Sequence, residues 1–189
     1  MSRKKRRRVI AVLLLAASAF PASIWVSQLV SSAFGTDAAL TVTPFSWVNS
    51  RGDTVELASV ESPLIMLFMG YLSCDSACPA RLGELVAISR ELSPQKLDLV
   101  FITLDPVRDT AERREALVEA LGIATGVMQS KALSRLRFEL RDRQQDIANH
   151  STRIYVLTPA GRLVTAFSGQ ALTVQDVKQR LHTLGYLEN

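Results

Sequence analysis

Apolar positions fall into three kinds of pattern along the chain. Leu64-Ile65-Met66-Leu67-Phe68-Met69, bounded by Pro63 and Gly70, and the run Leu97 to Leu104 (LDLVFITL) are almost continuously apolar. Short runs of this kind suit strands buried on both faces. Shorter apolar–polar segments come in pairs around turn residues. Phe45–Val48 and Thr54–Leu57 flank Asn49-Ser50-Arg51-Gly52-Asp53, and Thr152–Thr158 and Arg162–Ser168 flank Pro159-Ala160-Gly161. Both read as hairpins, the second with Pro at i+1 and Gly at i+3 of a type I turn. Three stretches carry the helical period. Pro79 to Leu92 places Leu82, Leu85, Val86 and Ser89 on one face, with Pro79 in the first turn. Asp109, as N-cap with Glu112 three residues on, opens a helix through Leu121. Thr173 and Asp176 cap a last helix whose apolar face is Val174, Val177, Leu181 and Leu184, ended by Gly185. Residues 122–149 are the weakest in pattern, and Arg137-Phe138-Glu139-Leu140 reads as a short strand. The order is β-hairpin, β-α-β-α, then β-hairpin-α, with helices on both faces of a mixed sheet, which is an α/β architecture.

Charge changes the picture at one end only. The chain of 189 residues has 22 basic and 18 acidic side chains, and six of the basic ones are Arg3, Lys4, Lys5, Arg6, Arg7 and Arg8. The remainder is slightly acidic, so the domain has no phosphate-binding footprint and a nucleic-acid partner is not expected. The basic tail is followed by an uncharged run of 28 residues, from Val9 to Thr36. A helix across a bilayer needs roughly 20 largely apolar residues, and flanking cations keep their side in the cytoplasm. Residues 1–8 therefore read as a cytoplasmic tail, 9–30 as a transmembrane anchor or signal peptide, 31–43 as a tether and 44–189 as the domain. Ala17-Ser18-Ala19 supplies the cleavage site that a signal peptide would need. The apolar run continues past it through Ile24, Trp25, Val26, Leu29 and Val30, as an uncleaved anchor requires. On either reading the domain leaves the cytoplasm. The expected location is a bacterial inner membrane, with the domain in the periplasm or outside.

Cys74 and Cys78 are the only cysteines, and they lie between the first buried strand and the helix that follows. A helix N-terminus favours thiolate over thiol, the form that attacks disulfides and binds soft metals. The strand-to-helix junction is also where α/β sheets bind ligands. Three intervening residues put the pair at i and i+4, roughly 5–6 Å apart at Cβ on a regular helix, whereas a relaxed disulfide wants about 3.5–4.5 Å. The spacing leans toward a metal without excluding redox exchange. A purely structural disulfide is the plain alternative, but so small a loop stabilises little by closure.

Three segments, in this order, resemble the Sco/SenC family over roughly residues 40–185. Gly70-Tyr71-Leu72-Ser73-Cys74-Asp75-Ser76-Ala77-Cys78-Pro79 is similar to its FGYTHCPDVCP, Leu104 to Thr110 (LDPVRDT) to its VDPERDTP, and Asn149 to Leu157 (NHSTRIYVL) to its DHS-x-x-IYLID strand. The resemblance implies a thioredoxin-like fold with an N-terminal β-hairpin. It also implies one copper ion, Cu(I) or Cu(II), bound by Cys74, Cys78 and His150. Asp105 falls on an Asp of the second segment, a candidate for tuning the site or meeting a partner. The implied role is that of a copper chaperone or assembly factor for the copper centre of cytochrome c oxidase, whose copper-bearing subunit, or another copper protein, is the partner. Soft thiolates select Cu(I), and imidazole suits copper in either state. The chain departs from the family at Asp75-Ser76-Ala77, where Pro-Asp-Val is usual, at Ser73, where His is usual, and in a shorter stretch from Thr110 to His150.

An enzyme reading competes: a membrane-tethered thiol–disulfide reductase in which Cys74 and Cys78 form a redox-active pair, one thiolate attacking and the other resolving. Against it, Ile147 to Ser151 holds no Pro before the strand, where dedicated thioredoxins carry one. A peroxide-reducing enzyme of the same fold would need a Thr and Arg setting that the chain does not show. His182 matches no motif and reads as a solvated helix residue; Met66 and Met128 read as packing residues.

Overall fold

The computed structural model describes residues 40–72, 77–92, 96–142, 152–168 and 171–187, with side chains except at 77–79 and 117. All belong to the second of two units of the chain, Leu40–Asn189. Two strands, β1 (Ser46–Val48) and β2 (Thr54–Glu56), form the expected antiparallel hairpin. Then come β3 (Ile65–Gly70), helix α1 (Ala77–Glu91), β4 (Asp98–Thr103), α2 (Ala111–Leu117), β5 (Ala124–Gly126), α3 (Ser130–Glu139), β6 (Ile154–Leu157), β7 (Leu163–Phe167) and α4 (Val174–Thr183). The main sheet has the order β5-β4-β3-β6-β7, with β3, β4 and β5 parallel and β6 and β7 antiparallel to their neighbours.

Every residue of β3 is buried, as its unbroken apolar run requires, and alternate side chains enter two different cores. Met66 and Phe68 pack with Leu99, Phe101, Ile154 and Val156 beneath α1 and α4, which supply Leu82, Leu85, Ile88, Val177 and Leu181. Ile65, Leu67 and Met69 pack with Val100, Ile102, Tyr155 and Leu157 against α3 and the hairpin, which supply Leu136, Leu140 and Trp47. The α1 face differs in one place: Ile88 is fully buried and Ser89 only half-buried. Met66 and Met128 are core residues and His182 is exposed.

Both later turns follow their chemistry. Gly161 N–H bonds the Thr158 carbonyl, and Gly161 has φ +81. A Cβ there would lie 2.8 Å from the Val42 carbonyl oxygen. Thr173 and Asp176 form a reciprocal capping box, and α4 ends at Gly185 with Gly185 N–H on His182 and Tyr186 N–H on Leu181.

Three expectations need correction. The N-cap of α2 is Thr110, not Asp109: its side chain accepts from Arg113 N–H, while Asp109 is fully buried and bonded elsewhere. The helix stops at Leu117 rather than Leu121. A 3-10 turn over Glu119–Leu121 follows, reversed by left-handed Gly122, because Val118 is drawn wholly into the core. Residues 137–140 are not a strand. Leu136 and Leu140 lie one turn apart and both reach the core, while Phe138 points away at 84% exposure, an arrangement that strand alternation cannot give. The short edge strand β5 was also not expected. Trp47 packs so close over its Gly126 that a Cβ there would fall 2.1 Å from the indole.

The Tyr155 phenol is buried, and burial, with the Asp142 carboxylate nearby, pushes it up to about 12. It therefore stays neutral in the fold where an unfolded tyrosine would ionise. Stability is unaffected below the unfolded value near 10 and falls between about pH 10 and 12. The expected loss is about 2–3 kcal/mol. In alkaline denaturation curves, Tyr155→Phe should remove that part of the decline.

Candidate metal centre

The carboxyl end of β3 leads through Tyr71 and Leu72 toward the cysteine loop, and α1 begins at Ala77, so Cys78 is its second residue. Cys74, His150 and the Cys78 side chain lie outside the described structure. Among the described residues, no group of three or more His, Cys, Asp or Glu is arranged to hold a metal. What the structure does describe are the two segments on either side of residues 73–76, and both are fastened by buried polar groups.

The entry to the loop is held at Leu72. Its N–H donates to Asp109 Oδ2 at 2.9 Å, and the same oxygen accepts the Thr103 hydroxyl at 2.6 Å. Thr103 Oγ1 in turn accepts Asp105 N–H at 3.0 Å, and Asp109 N–H bonds the Asp105 carbonyl. Buried Arg114 donates from Nη1 to the Asp109 carbonyl at 2.7 Å, and Arg113 Nη2 donates to the Leu72 carbonyl at 3.5 Å. A carboxylate with no exposed surface is costly unless it is bonded. Here its bonds join the ends of β3 and β4 two residues before Cys74.

The exit from the loop is held by α1. Arg81, one turn after Cys78, is 7% exposed and pairs with Glu84. Its Nη2 also reaches Thr152 Oγ1 at 3.4 Å, and Glu84 accepts Leu172 N–H at 3.2 Å. Thr152 comes two residues after His150. The first turns of α1 are thus tied to the segment that enters β6.

Asp105 is turned into its own loop. It pairs with Arg108, whose side-chain and backbone hydrogen bonds hold its carboxyl below the usual carboxylate range. The buried carboxylate of this segment is Asp109, which sequence reasoning assigned to capping. The available signal was Thr110, an equally good cap one residue nearer the helix, which frees Asp109 for another task. Arg81 and Glu84 were missed because a charged pair three residues apart on a helix ordinarily signals an exposed ion pair.

This sheet order, with α1 following the central strand β3 and Cys78 as its second residue, defines a thioredoxin-like fold. The family model SCO1/SenC matches residues 34–185. The bovine mitochondrial protein SCO2 homolog is 28% identical over 148 residues, 70% of this chain and 55% of the relative. The chain thus spans about half the length of the curated relatives it resembles. Among solved structures, a putative electron transfer protein from Aquifex aeolicus aligns with a TM-score of 0.67 at 21% identity, covering 77% of this chain and 93% of that one. Arabidopsis thaliana ScoI, solved with copper bound, aligns with a TM-score of 0.62 at 20% identity, covering 78% and 98%. This chain belongs to the SCO1/SenC family.

Proposed function

We propose that this chain is a membrane-anchored copper-binding protein acting as a chaperone in assembly of the copper centre of cytochrome c oxidase. It carries one copper ion on Cys74, Cys78 and His150. The observation that carries the reading is the contact between Arg81 and Thr152. Arg81 follows Cys78 by one helical turn and Thr152 follows His150 by two residues, a backbone reach of about 7 Å. A ligand set distant in sequence needs such a tie. The donors fit the cargo: two thiolates and an imidazole suit Cu(I) without filling a rigid cage, so the ion can pass to a partner by ligand exchange. The copper-bound Arabidopsis relative shares the fold and supports the same cargo. Residues 9–30 serve as the anchor, and the domain works on the outer side of a bacterial inner membrane. Asp105, in the segment after β4, is a candidate contact for the acceptor.

His150→Ala tests the ligand set. Copper affinity of the reduced protein should fall about a hundredfold, near 2.7 kcal/mol of binding free energy, while thiol–disulfide exchange through the cysteines survives. Unchanged copper binding would remove His150 from the ligands, and with brisk exchange it would favour the reductase reading.

A further inference from the structure

The outer face of α3 combines cations with one bare aromatic ring. Lys131, Arg135 and Phe138 recur at i, i+4 and i+7, so they share a face, and Phe138 is 84% exposed. Arg141, just past the helix, and Arg153, whose Nη1 donates to the Arg141 carbonyl, are exposed beside it. The two acidic groups of this stretch are turned away from that face. Glu139 accepts the Thr43 N–H at 2.8 Å and the Thr43 hydroxyl at 2.6 Å. The Asp142 side chain is 1% exposed and lies 3.7 Å from Arg137. The face is thus basic and apolar within a domain whose overall charge is slightly acidic.

The same helix receives the chain arriving from the N-terminal segment. Leu40 and Val42 pair with Leu163 and Gly161 at the start of β7, and Thr43 then bonds Glu139 near the end of α3. Only residues 31–39 separate the paired stretch from the apolar run, and nine residues span at most about 30 Å. On the anchor reading, that length bounds how far the domain can lie from the lipid headgroups.

We infer that the outer face of α3, with Lys131, Arg135, Arg141 and Phe138, rests on the anionic membrane surface and orients the tethered domain. The inference rests on the anchor reading above. Cations on the face are drawn to anionic headgroups, and Phe138 enters the interface as aromatic residues do on amphipathic surface helices. With this face held down, the rotational freedom that the tether leaves is restricted, and the cysteine loop is presented in a limited set of directions.

The test uses the full chain in vesicles with Phe138→Trp and lipids brominated in their acyl chains. The unmodified chain serves as baseline: Trp25 lies within the apolar run and Trp47 is buried in the domain. In vesicles containing phosphatidylglycerol, the added Trp emission should be quenched by about half. Quenching should vanish in phosphatidylcholine vesicles, at high salt, and when K131E, R135E and R141E are combined. An alkaline wash and the quenching of Trp25 report the anchor separately. A chain that washes off overturns the anchor reading and this inference with it. A chain that stays while its added Trp is unquenched, as an acidic protein partner for this face would leave it, overturns the inference alone. Equal quenching in both lipids contradicts the role of the cations.

Discussion

Replacing Cys78 with serine is expected to abolish copper retention by the reduced protein against a Cu(I) chelator, and Cys74→Ser should do the same. On the proposed ligand set, each change removes one of two soft ligands and substitutes a hard, poorly ionised hydroxyl at that point. A remaining thiolate and imidazole cannot compete with a chelator that fills the coordination sphere. Because Cys78 lies in the first turn of a helix that buries Leu82, Leu85 and Ile88 further along, the fold should survive the change. Metal analysis after chelator competition, with circular dichroism as the check on folding, reads both outcomes. Copper retained at one ion per chain by either serine variant would show that the cysteines are not a joint site.

A loss of stability as large as emptying a core position is expected at Asp109, a charged residue. Asp109→Ala would leave the Leu72 N–H and the Thr103 hydroxyl without their acceptor, in a place water does not reach. Hydrogen bonds to a charged group are worth about 1.5–3 kcal/mol each, so the loss should be about 4 kcal/mol. For a domain of this size that lowers Tm by about 10 °C. Asp109→Asn keeps an acceptor oxygen and should recover part of it. The loop entrance is held by the same bonds, so copper affinity should fall in D109A as well, though less than for a cysteine change. A variant that melts at the parent temperature would mean the carboxylate does not fasten β3 to β4.

Much of the frame was legible because it is written in local chemistry. The run Leu64–Met69 announces a strand buried on both faces, and Thr173 with Asp176 announces a helix start; both stand where expected. The stretch after Thr110 was not legible, for physical reasons. Its helix is cut short by packing of Val118, and β5 is only Ala-Thr-Gly, with little intrinsic preference for a strand. In α3 the exposed Phe138 interrupts the pattern that would have marked a helix, since an aromatic side chain is ordinarily taken as core. The cysteines were legible as a candidate site from type and position. The buried charged residues on the flanking segments, Asp109 and Arg81, were not, because a charged residue reads as solvated until its partners, distant in sequence, are known.

The most direct test of the central claim is copper binding by the reduced full chain in membrane mimetic, measured by chelator competition and metal analysis, with X-ray absorption on the loaded protein. One tightly held copper per chain is expected, coordinated by two sulfur atoms and one imidazole nitrogen. Copper no higher than chelator background while both thiols are free, or a shell without sulfur, would contradict it.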